Sequence, residues 1–292
     1  MKFGAHVFLW IDRFSDQALF VFDRAKALGL SILEVAVGDD VLFTPRTVRR
    51  HAERVGIELT FSPGSQWPME ADVSADSLEQ RSFGLTWHKH WIDMAAEVGA
   101  VSYCGGLYGH PGKILRRFPP PDEFPRAAEG LDILGEYAAK RGMKLVIEPM
   151  SHFRTHLVNT PAQAMRLLEL AENPNVYILL DTYHLLTEIR DYAAAARLTR
   201  SKLWGLHACE NDRGVPGGGL VPWKALFSAL QPIEDDFHIL LESYNSSLNE
   251  FAFRRGLFHD VCPDGDAFVK AGLAFLRESL ENAARRASTT RV

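Results

Sequence analysis

The chain has 292 residues, of which 47% are hydrophobic and 24% are charged, and its formal net charge is -5. This is the composition of a globular protein that can bury a large core, and its mild acidity argues against a nucleic-acid partner, which would favour a basic face. The sequence contains no run that approaches the ~18 unbroken apolar residues of a membrane span, so no membrane partner is expected.

The N-terminus and the cysteines both bear on the compartment. The opening stretch, MKFGAHVFLWIDRF, lacks the long apolar segment and the small-residue cleavage site of a secretory signal. Cys104, Cys209 and Cys262 lie far apart and form no CxxC pair. An odd number of cysteines at such spacings suits reduced thiols better than a disulfide framework. We therefore expect a cytoplasmic protein.

Eight short apolar runs follow one another along the chain. They are continuously apolar rather than alternating, which is typical of parallel strands buried on both faces. The runs are GAHVFLW (4–10), ILEVAV (32–37), IELTFS (57–62), VSYCGG (101–106), KLVIEP (144–149), VYILLD (176–181), LWGLHA (203–208) and HILLES (238–243).

The segments between these runs are predicted to be helices. The first opens at Ser15 as a cap and closes at a glycine. Another places Pro161 directly after Thr160, the favoured order of cap and first helical residue. The clearest helical segments are 15–29, 77–99, 122–142 and 159–172, with a last helix before the tail ASTTRV (287–292), which we expect to be frayed.

A strand followed by a helix, repeated eight times without an interrupting linker, predicts an α/β fold: a single (β/α)8 TIM barrel. We expect one domain over residues 1–292, because barrels of this kind commonly reach ~250 residues. The alternative is a doubly wound open sheet, which usually carries a glycine-rich phosphate loop after its first strand. The corresponding stretch here, WIDRFSDQ, has no glycine.

Four consecutive predicted strands end in a residue that can bind a metal. The chemistry of such a barrel lies at the C-terminal ends of its strands, and successive strands are neighbours, so these side chains can converge on one point. They are Glu148 from the fifth strand, Asp181 from the sixth, His207 from the seventh and Glu242 from the eighth.

Three carboxylates and one imidazole form a hard, oxygen-rich site that suits Mn²⁺, Co²⁺ or Mg²⁺ better than a structural zinc. A single carboxylate at a strand end is equally well explained as a helix cap, and a lone histidine as a core residue. Burying three carboxylates without a cation, however, would cost several kcal/mol per unpaired group. The joint pattern therefore predicts a divalent cation on these four side chains.

Several residues near these strand ends are candidate substrate contacts. His184 and Arg213 lie in the loops after the sixth and seventh strands, Tyr108 lies in a glycine-rich loop after the fourth, and His6 lies on the first strand beside two aromatic residues. The structural alternatives are a loop hydrogen bond for His184, a loop brace for Arg213 and barrel packing for His6. The tryptophans interpreted as packing residues are Trp67, Trp87, Trp91 and Trp204.

Over nearly its whole length the sequence resembles the xylose-isomerase-like barrel superfamily, and within it the ketose 3-epimerases that act on D-tagatose, D-allulose and L-ribulose. The resemblance implies four Mn²⁺ ligands, a histidine and an arginine that bind substrate oxygens, two glutamates that exchange the proton at C3, and a homodimer or homotetramer. The motifs that carry it are IEP with Glu148, DTYH with Asp181 and His184, HACENDR with His207 and Arg213, GGLVPW (218–223), and LES with Glu242.

One position departs from the family pattern. The family often has NRFE shortly after the first metal glutamate, whereas this chain has SHFRTHLVNT, which places Arg154 where the second glutamate would stand. A guanidinium there would favour a carboxylate or phosphate over a neutral sugar terminus. We therefore count Arg154 among the candidate substrate contacts, and the resemblance does not extend to the identity of the sugar.

The expected activity is C3 epimerisation of a ketose or related keto-sugar through a cis-enediolate, with Glu148 and Glu242 as proton carriers. One alternative is an aldose–ketose or hydroxypyruvate-type keto-acid isomerase, in which Arg154 and Arg213 bind an anionic group. Another is an isomerase or lyase of a keto-inositol or an oxidised glycoside. An endonuclease-like member would need more histidines and a basic surface. A sugar-binding protein without activity is the remaining alternative.

Overall fold

Eight parallel strands form a closed barrel in the computed structural model, which describes residues 1–289. Each strand pairs with the next along the chain, and the last pairs with the first. This confirms the predicted (β/α)8 barrel. The strands are β1 Lys2–His6, β2 Ile32–Ala36, β3 Glu58–Ser62, β4 Ser102–Gly105, β5 Lys144–Ile147, β6 Val176–Asp181, β7 Leu203–Ala208 and β8 His238–Leu241.

Helices follow the strands and surround the barrel. They are α1 Phe20–Ala27, α2 Pro45–Val55, α3 Leu78–Val98, α4 Glu123–Ala139, α5 Pro161–Ala171, α6 Thr182–Leu185, α7 Tyr192–Thr199, α8 Trp223–Leu230, α9 Phe251–Arg254 and α10 Gly265–Thr289. The short helices α6 and α9 lie in the loops that follow β6 and β8.

Local capping chemistry explains where the longer helices begin and end. The Thr160 side chain accepts the N–H of Gln163, and the Gln163 side chain accepts the N–H of Thr160, which forms a complete capping box at the start of α5. Ser77 accepts the N–H of Gln80 at the start of α3. Gly99 ends α3 with φ of 85°, a left-handed conformation that glycine adopts without a steric penalty.

The first strand is shorter than its apolar run predicts. The run 4–10 predicts a strand throughout, but β1 ends at His6 and the residues Val7–Leu9 form a 3-10 turn. The His6 ring explains the change, because its Nδ1 accepts the Phe8 N–H at 3.1 Å and bends the chain away from the sheet.

The first helix also begins later than predicted. A 3-10 turn covers Asp16–Ala18, α1 starts only at Phe20, and Ser15 makes no side-chain cap. The Asp16 carboxylate instead accepts both the backbone N–H and the hydroxyl of Thr44, at 2.8 and 2.7 Å. This contact ties the loop after β1 to the start of α2.

Alternate residues of each strand point into the barrel and fill it. One inward layer is apolar and tightly packed, and a Cβ on Gly4 would lie 2.4 Å from the Leu240 side chain and 2.6 Å from Ile32. Because the side-chain period of a strand is two, the next inward positions lie one layer closer to the C-terminal end. Those positions are His6 above Gly4, Glu34 above Ile32, Glu148 above Val146, Asp181 above Leu179, His207 above Gly205 and Glu242 above Leu240.

The C-terminal helix α10 continues through Thr289. Residues 287–289 of the tail that we expected to be frayed are therefore helical, and residues 290–292 lie outside the described part of the chain. Among residues 1–289, no helix has the length and apolar character needed to cross a membrane.

Candidate active site

Four side chains meet at the C-terminal end of the barrel, one from each of the strands β5 to β8. Glu148 directly follows β5, and Glu242 directly follows β8. Asp181 and His207 are the last inward-pointing residues of β6 and β7. One ligand atom from each side chain lies within 4.8 Å of the others, and all four residues are buried. The structure thus brings together the four residues that the strand-end pattern selects.

The His207 ring is held between carboxylates on both of its nitrogens. Its Nδ1 lies 2.9 Å from Glu148 Oε1 and 3.2 Å from Glu242 Oε2. Its Nε2 lies 2.6 Å from Glu34 Oε2. A carboxylate on the second ring nitrogen fixes the orientation and tautomer of a metal-binding histidine. Glu34 therefore positions His207.

Sequence reasoning missed Glu34, although the signal was present. Glu34 interrupts the apolar run ILEVAV of β2, just as Asp181 ends the run VYILLD of β6. A carboxylate in the middle of a buried strand has to be satisfied by a partner. Glu34 is buried, and its other oxygen, Oε1, lies 3.8 Å from His6 Nε2, so the residue links β1, β2 and β7.

Burial and mutual charge shift the pKa values of the cluster. Burial raises the pKa of Asp181 to about 7, against the opposing charge of Arg213. Burial also raises the pKa of Glu148, and the positive charge of His207 acts in the opposite direction. Burial alone would raise the pKa of Glu242, but Arg213 and His207 hold it far below its usual range. Burial alone would lower the pKa of His207, but three surrounding carboxylates raise it well above its usual value. The carboxylates thus favour the protonated, positively charged form of His207.

Arg213 also places positive charge beside the cluster. Its Nη1 lies 2.8 Å from Asp181 Oδ2 and 2.6 Å from Glu242 Oε2. Its Nη2 lies 3.3 Å from His184 Nε2. Burial and the Arg213 charge hold the pKa of His184 well below its usual value, so its ring is neutral at pH 7. Two of the predicted substrate-binding residues, His184 and Arg213, therefore lie in contact with each other, directly beside the four-residue cluster.

The loop that carries Arg213 is anchored by Glu210. The buried Glu210 carboxylate accepts the N–H groups of Gly217 and Val221, at 2.6 and 3.1 Å, and the indole N–H of Trp223 at 2.7 Å. Its backbone carbonyl accepts the Arg213 N–H at 3.0 Å. Arg213 itself has φ of 68°, which is costly for a residue with a Cβ. The loop thus places the guanidinium over the cluster in a fixed conformation.

The donor set fits a divalent cation. Four buried carboxylates, including Glu34, outnumber the one guanidinium and the one imidazole that lie among them. Asp181 Oδ2 is buried and accepts no hydrogen bond of good geometry, although Arg213 Nη1 lies near it. Carboxylate oxygens with one imidazole suit a hard to borderline ion such as Mn²⁺, Mg²⁺ or Co²⁺.

A cavity of about 220 Å³ opens above the cluster. Its wall contains Glu148, His207 and Glu242, together with three of the predicted substrate contacts, His184, Arg213 and His6. Arg154 also faces this cavity. All of the candidate residues except Asp181 and Tyr108 therefore border one space, and Asp181 lies beside it in the four-residue cluster.

Tyr108 does not line the cavity, although its position in the glycine-rich loop after β4 predicts a substrate contact. Its hydroxyl lies 3.0 Å from the carbonyl oxygens of both Glu148 and Val158, and the side chain is 1% exposed. The residue therefore braces the backbone at the end of β5, behind the cavity wall, and does not present its hydroxyl to a substrate.

Three cavity residues were missed or misread from the sequence. Trp67 was interpreted as packing, but it both stacks on Trp87 and borders the cavity. Tyr244 and Arg255 also line the cavity, and both lie in the segment after β8 that has no clear motif. Their positions depend on the fold of that long loop, which strand and helix periodicity does not describe.

A family model described as "Xylose isomerase-like TIM barrel" matches residues 22–279. The chain belongs to this family. Solved structures agree on the fold: one described as "Structure of L-ribulose 3-epimerase" superposes with a TM-score of 0.91, covers 100% of this chain and 98% of its own, and is 24% identical.

Proteins of similar sequence carry epimerase names. A "Probable ketose 3-epimerase" from Synechocystis sp. is 28% identical over 282 residues, which cover 96% of this chain and 97% of that protein. A "3-dehydro-D-guloside 4-epimerase" from Escherichia coli (strain K12) is 30% identical over 226 residues, which cover 75% of this chain and 84% of that protein.

Proposed function

We propose that this chain is a metal-dependent carbohydrate epimerase that inverts C3 of a ketose or a related keto-sugar. The observation that carries the proposal is the cluster of Glu148, Asp181, His207 and Glu242, whose ligand atoms lie within 4.8 Å of one another at the floor of a cavity. Two members of this cluster are glutamates that can also move a proton. The names of the similar proteins support epimerase chemistry.

Glu148 and Glu242 are the proposed proton carriers. They extend from β5 and β8, on either side of β6 and β7, so they reach the cavity from different directions. One glutamate, as a carboxylate, removes the proton from C3, and the other, as a carboxylic acid, returns its own proton to the opposite face of the resulting cis-enediolate. Exchange between two faces inverts the carbon, whereas a single carboxylate would return the proton to the face it left.

Substrate oxygens are proposed to bind to His184 and Arg213, with His6 at the side of the cavity nearest Glu34. His184 presents a neutral ring whose Nδ1 lies 3.3 Å from the Ser151 hydroxyl, which orients it. The Arg213 guanidinium lies beside Glu242, where negative charge develops on the substrate oxygens.

A divalent cation completes the proposed site, with Glu148, Asp181, His207 and Glu242 as its ligands. When bound, the cation supplies a Lewis acid beside the substrate carbonyl and makes the neighbouring C–H more acidic. We propose Mn²⁺ as the native ion, with Co²⁺ or Mg²⁺ as substitutes, because the donors are mainly carboxylate oxygens with one imidazole.

We also propose that the chain acts as one domain, in the cytoplasm, and as a homodimer or homotetramer. The three cysteines support the compartment, because all of them are buried and free in the structure. The assembly rests on the resemblance to the ketose 3-epimerases and is tested by light scattering of the purified protein.

A second candidate function is C4 epimerisation of a 3-keto-glycoside. The 30% identity to the Escherichia coli 3-dehydro-D-guloside 4-epimerase favours it. The chemistry is the same removal of a proton next to a ketone, but the ketone lies at C3 and the proton at C4. The residues proposed above keep their roles in either reaction.

Incubation in deuterated water distinguishes these reactions. The Mn²⁺-loaded protein is incubated with a panel of free ketoses, keto-acids, sugar phosphates and 3-keto-glycosides, and the labelled carbon is located by NMR. We expect deuterium at C3 of a ketose together with the C3 epimer. Label at C4 of a 3-keto-glycoside would establish the second candidate, and label at C1 with an aldose product would establish an aldose–ketose isomerase. A protein that exchanges no proton in any substrate would contradict the proposal.

A further inference from the structure

Two arginines face the cavity from the loops after β5 and β8, and neither forms an ion pair with a described residue. Arg154 lies in the loop between β5 and α5, and Arg255 lies directly after α9, in the loop that follows β8. Within residues 1–289, no carboxylate lies within 4.0 Å of either guanidinium, and the Arg154 side chain makes no hydrogen bond to another residue. Arg213, by contrast, contacts both Asp181 and Glu242.

The Arg255 side chain is held in a fixed place. Its Nη2 donates to the Gly64 carbonyl oxygen at 2.6 Å, and its guanidinium carbon lies 4.5 Å from the centre of the Phe8 ring. The rings of Phe251 and Tyr244 lie at 5.4 and 5.6 Å. One N–H of its five is engaged in this way, and the guanidinium makes no other hydrogen bond to a described residue. The charges of Glu242 and Asp40 act on it only from beyond ion-pair distance.

The two guanidinium groups act on the same region of the cavity. Burial lowers the pKa of Arg255, and the charge of Arg154 adds to that effect. Arg154, Arg255 and Tyr244 all line the same cavity, and the Arg255 guanidinium carbon lies 5.6 Å from the centre of the Tyr244 ring. The cavity thus has a carboxylate-rich floor and, on its wall, two guanidinium groups that form no ion pair with a described residue.

We infer that Arg154 and Arg255 form an anion subsite, and that the substrate is a keto-sugar that carries a carboxylate or a phosphate. The identification of the remainder of the ligand as a keto-sugar rests on the proposed function. A guanidinium offers paired N–H donors whose spacing matches the oxygens of either group. An anionic substrate supplies the negative charge that the protein lacks at this place.

This assignment changes the partner that the sequence suggested for Arg154. The sequence pairs Arg154 with Arg213 as a possible anion clamp. In the structure, Arg213 Nη1 is engaged by Asp181 and Glu242, so a substrate anion there would compete with two buried carboxylates. Arg255 has no such competitor among the described residues.

Binding of compounds that do not react tests the subsite directly. Glucitol, gluconate and glucitol 6-phosphate share a six-carbon chain and differ in charge, and gluconate and the phosphate separate the two sources of an oxyanion. Their dissociation constants are measured by calorimetry on the Mn²⁺-loaded protein. We expect one of the two anions to bind at least ~10-fold more tightly than glucitol, as charge-assisted hydrogen bonds predict.

The variants Arg154→Gln and Arg255→Gln should each reduce that preference, and the double variant should abolish it. Arg254→Gln is the matched control, because Arg254 is the neighbouring residue, is 77% exposed on its side chain and pairs with Glu250 at 3.0 Å. Arg255→Lys keeps a positive charge and a donor for the Gly64 carbonyl. It should therefore retain part of the anion preference if the loss in Arg255→Gln comes from the missing charge and not from lost packing. Thermal unfolding and metal content are recorded for each variant.

Equal binding of glucitol and both anions to the wild-type protein would overturn the subsite, as would a preference that survives in the double variant. Both results can be obtained without turnover, so they are independent of the deuterium experiment. An anion preference that depends on Arg154 and Arg255, in a protein that exchanges no C3 proton, would support the subsite and contradict the proposed reaction. Exchange at C3 without any anion preference would support the proposed reaction and contradict the subsite.

Discussion

The two ends of the barrel treat their ionisable side chains differently. At the N-terminal end, Lys2 and Glu58 form an ion pair at 2.7 Å, with 33% and 40% of their side chains exposed. At the C-terminal end, Glu34, Glu148, Asp181 and Glu242 are all buried, at 0–7% exposure. Water and the opposite charge solvate Lys2 and Glu58, while the C-terminal carboxylates crowd around His207 and Arg213. The N-terminal ion pair is an ordinary surface contact, whereas the buried C-terminal carboxylates are arranged to bind a cation.

Removing a proposed proton carrier at the C-terminal end should have the largest effect. We expect Glu148→Gln and Glu242→Gln each to lose at least ~100-fold in kcat, because general acid–base groups contribute roughly 10²–10⁴-fold. Since both residues are also proposed ligands, metal content is measured for each variant. The control is Glu58→Gln, which changes a glutamate at the opposite end of the barrel. A metal-loaded Glu242→Gln protein with full activity would remove Glu242 from proton transfer.

Substitution of Glu34 should have a smaller effect on activity than loss of a proton carrier, and the effect should appear first as weaker Mn²⁺ binding. Glu34 holds His207 through its Nε2 at 2.6 Å but is not one of the four clustered ligands. We expect Glu34→Gln to weaken Mn²⁺ binding by ~10–100-fold, as loss of an outer partner of a ligand histidine typically does. Glu34→Asp, which keeps the charge with a shorter reach, should lie in between. Unchanged Mn²⁺ affinity in Glu34→Gln would show that the contact does not orient the ring.

The N-terminal end should respond to pH in a way that is independent of metal. Burial, with a further contribution from Lys2, lowers the pKa of His238 from 6.5 to about 4. The folded state therefore binds fewer protons at this site than the unfolded state, so the free energy of unfolding should fall as pH drops from 6.5 toward 4. His238→Gln should flatten this slope in urea unfolding, with or without chelator. The exposed His259, changed to Gln, serves as the control, and an identical slope in both variants would exclude His238 as the cause.

The smallest effect is expected for the ion pair at the N-terminal end. The Lys2–Glu58 pair is partly exposed, so Glu58→Gln should change the free energy of unfolding by less than about 1 kcal/mol. Mn²⁺ affinity should stay the same. A loss of metal binding in this variant would mean that the two ends of the barrel are not independent.

The sequence was sufficient for the barrel and for the four-residue cluster. Short, continuously apolar runs placed the strands, and the polar residue at the end of each of the last four runs marked the residues that point inward from β5 to β8. Glu34 obeys the same rule, but it lies in the middle of its run, so the search at strand ends passed over it. The end of β1 was mispredicted because the His6 ring bonds to the Phe8 N–H, a local contact that an apolar run does not reveal.

The cavity wall was harder to predict, because long loops supply it. Tyr108 lies in a loop next to the site, but its hydroxyl turns to the carbonyl oxygens of Glu148 and Val158. Arg255 lies more than ten residues beyond the last strand, yet it reaches the cavity through its contact with Gly64. Loop conformation depends on such long-range contacts, which have no periodicity in the sequence.

Titration of chelator-dialysed protein with Mn²⁺ tests most directly that the C-terminal end of the barrel is a cation site. Calorimetry on the wild-type protein should give one ion per chain, and saturating Mn²⁺ should raise the Tm because the ion binds the folded state. Asp181→Asn removes the charge of the most deeply buried ligand and should abolish both effects, while Glu58→Gln should leave both intact. Absence of Mn²⁺ binding in the wild-type protein, or undiminished binding in Asp181→Asn, would contradict the account.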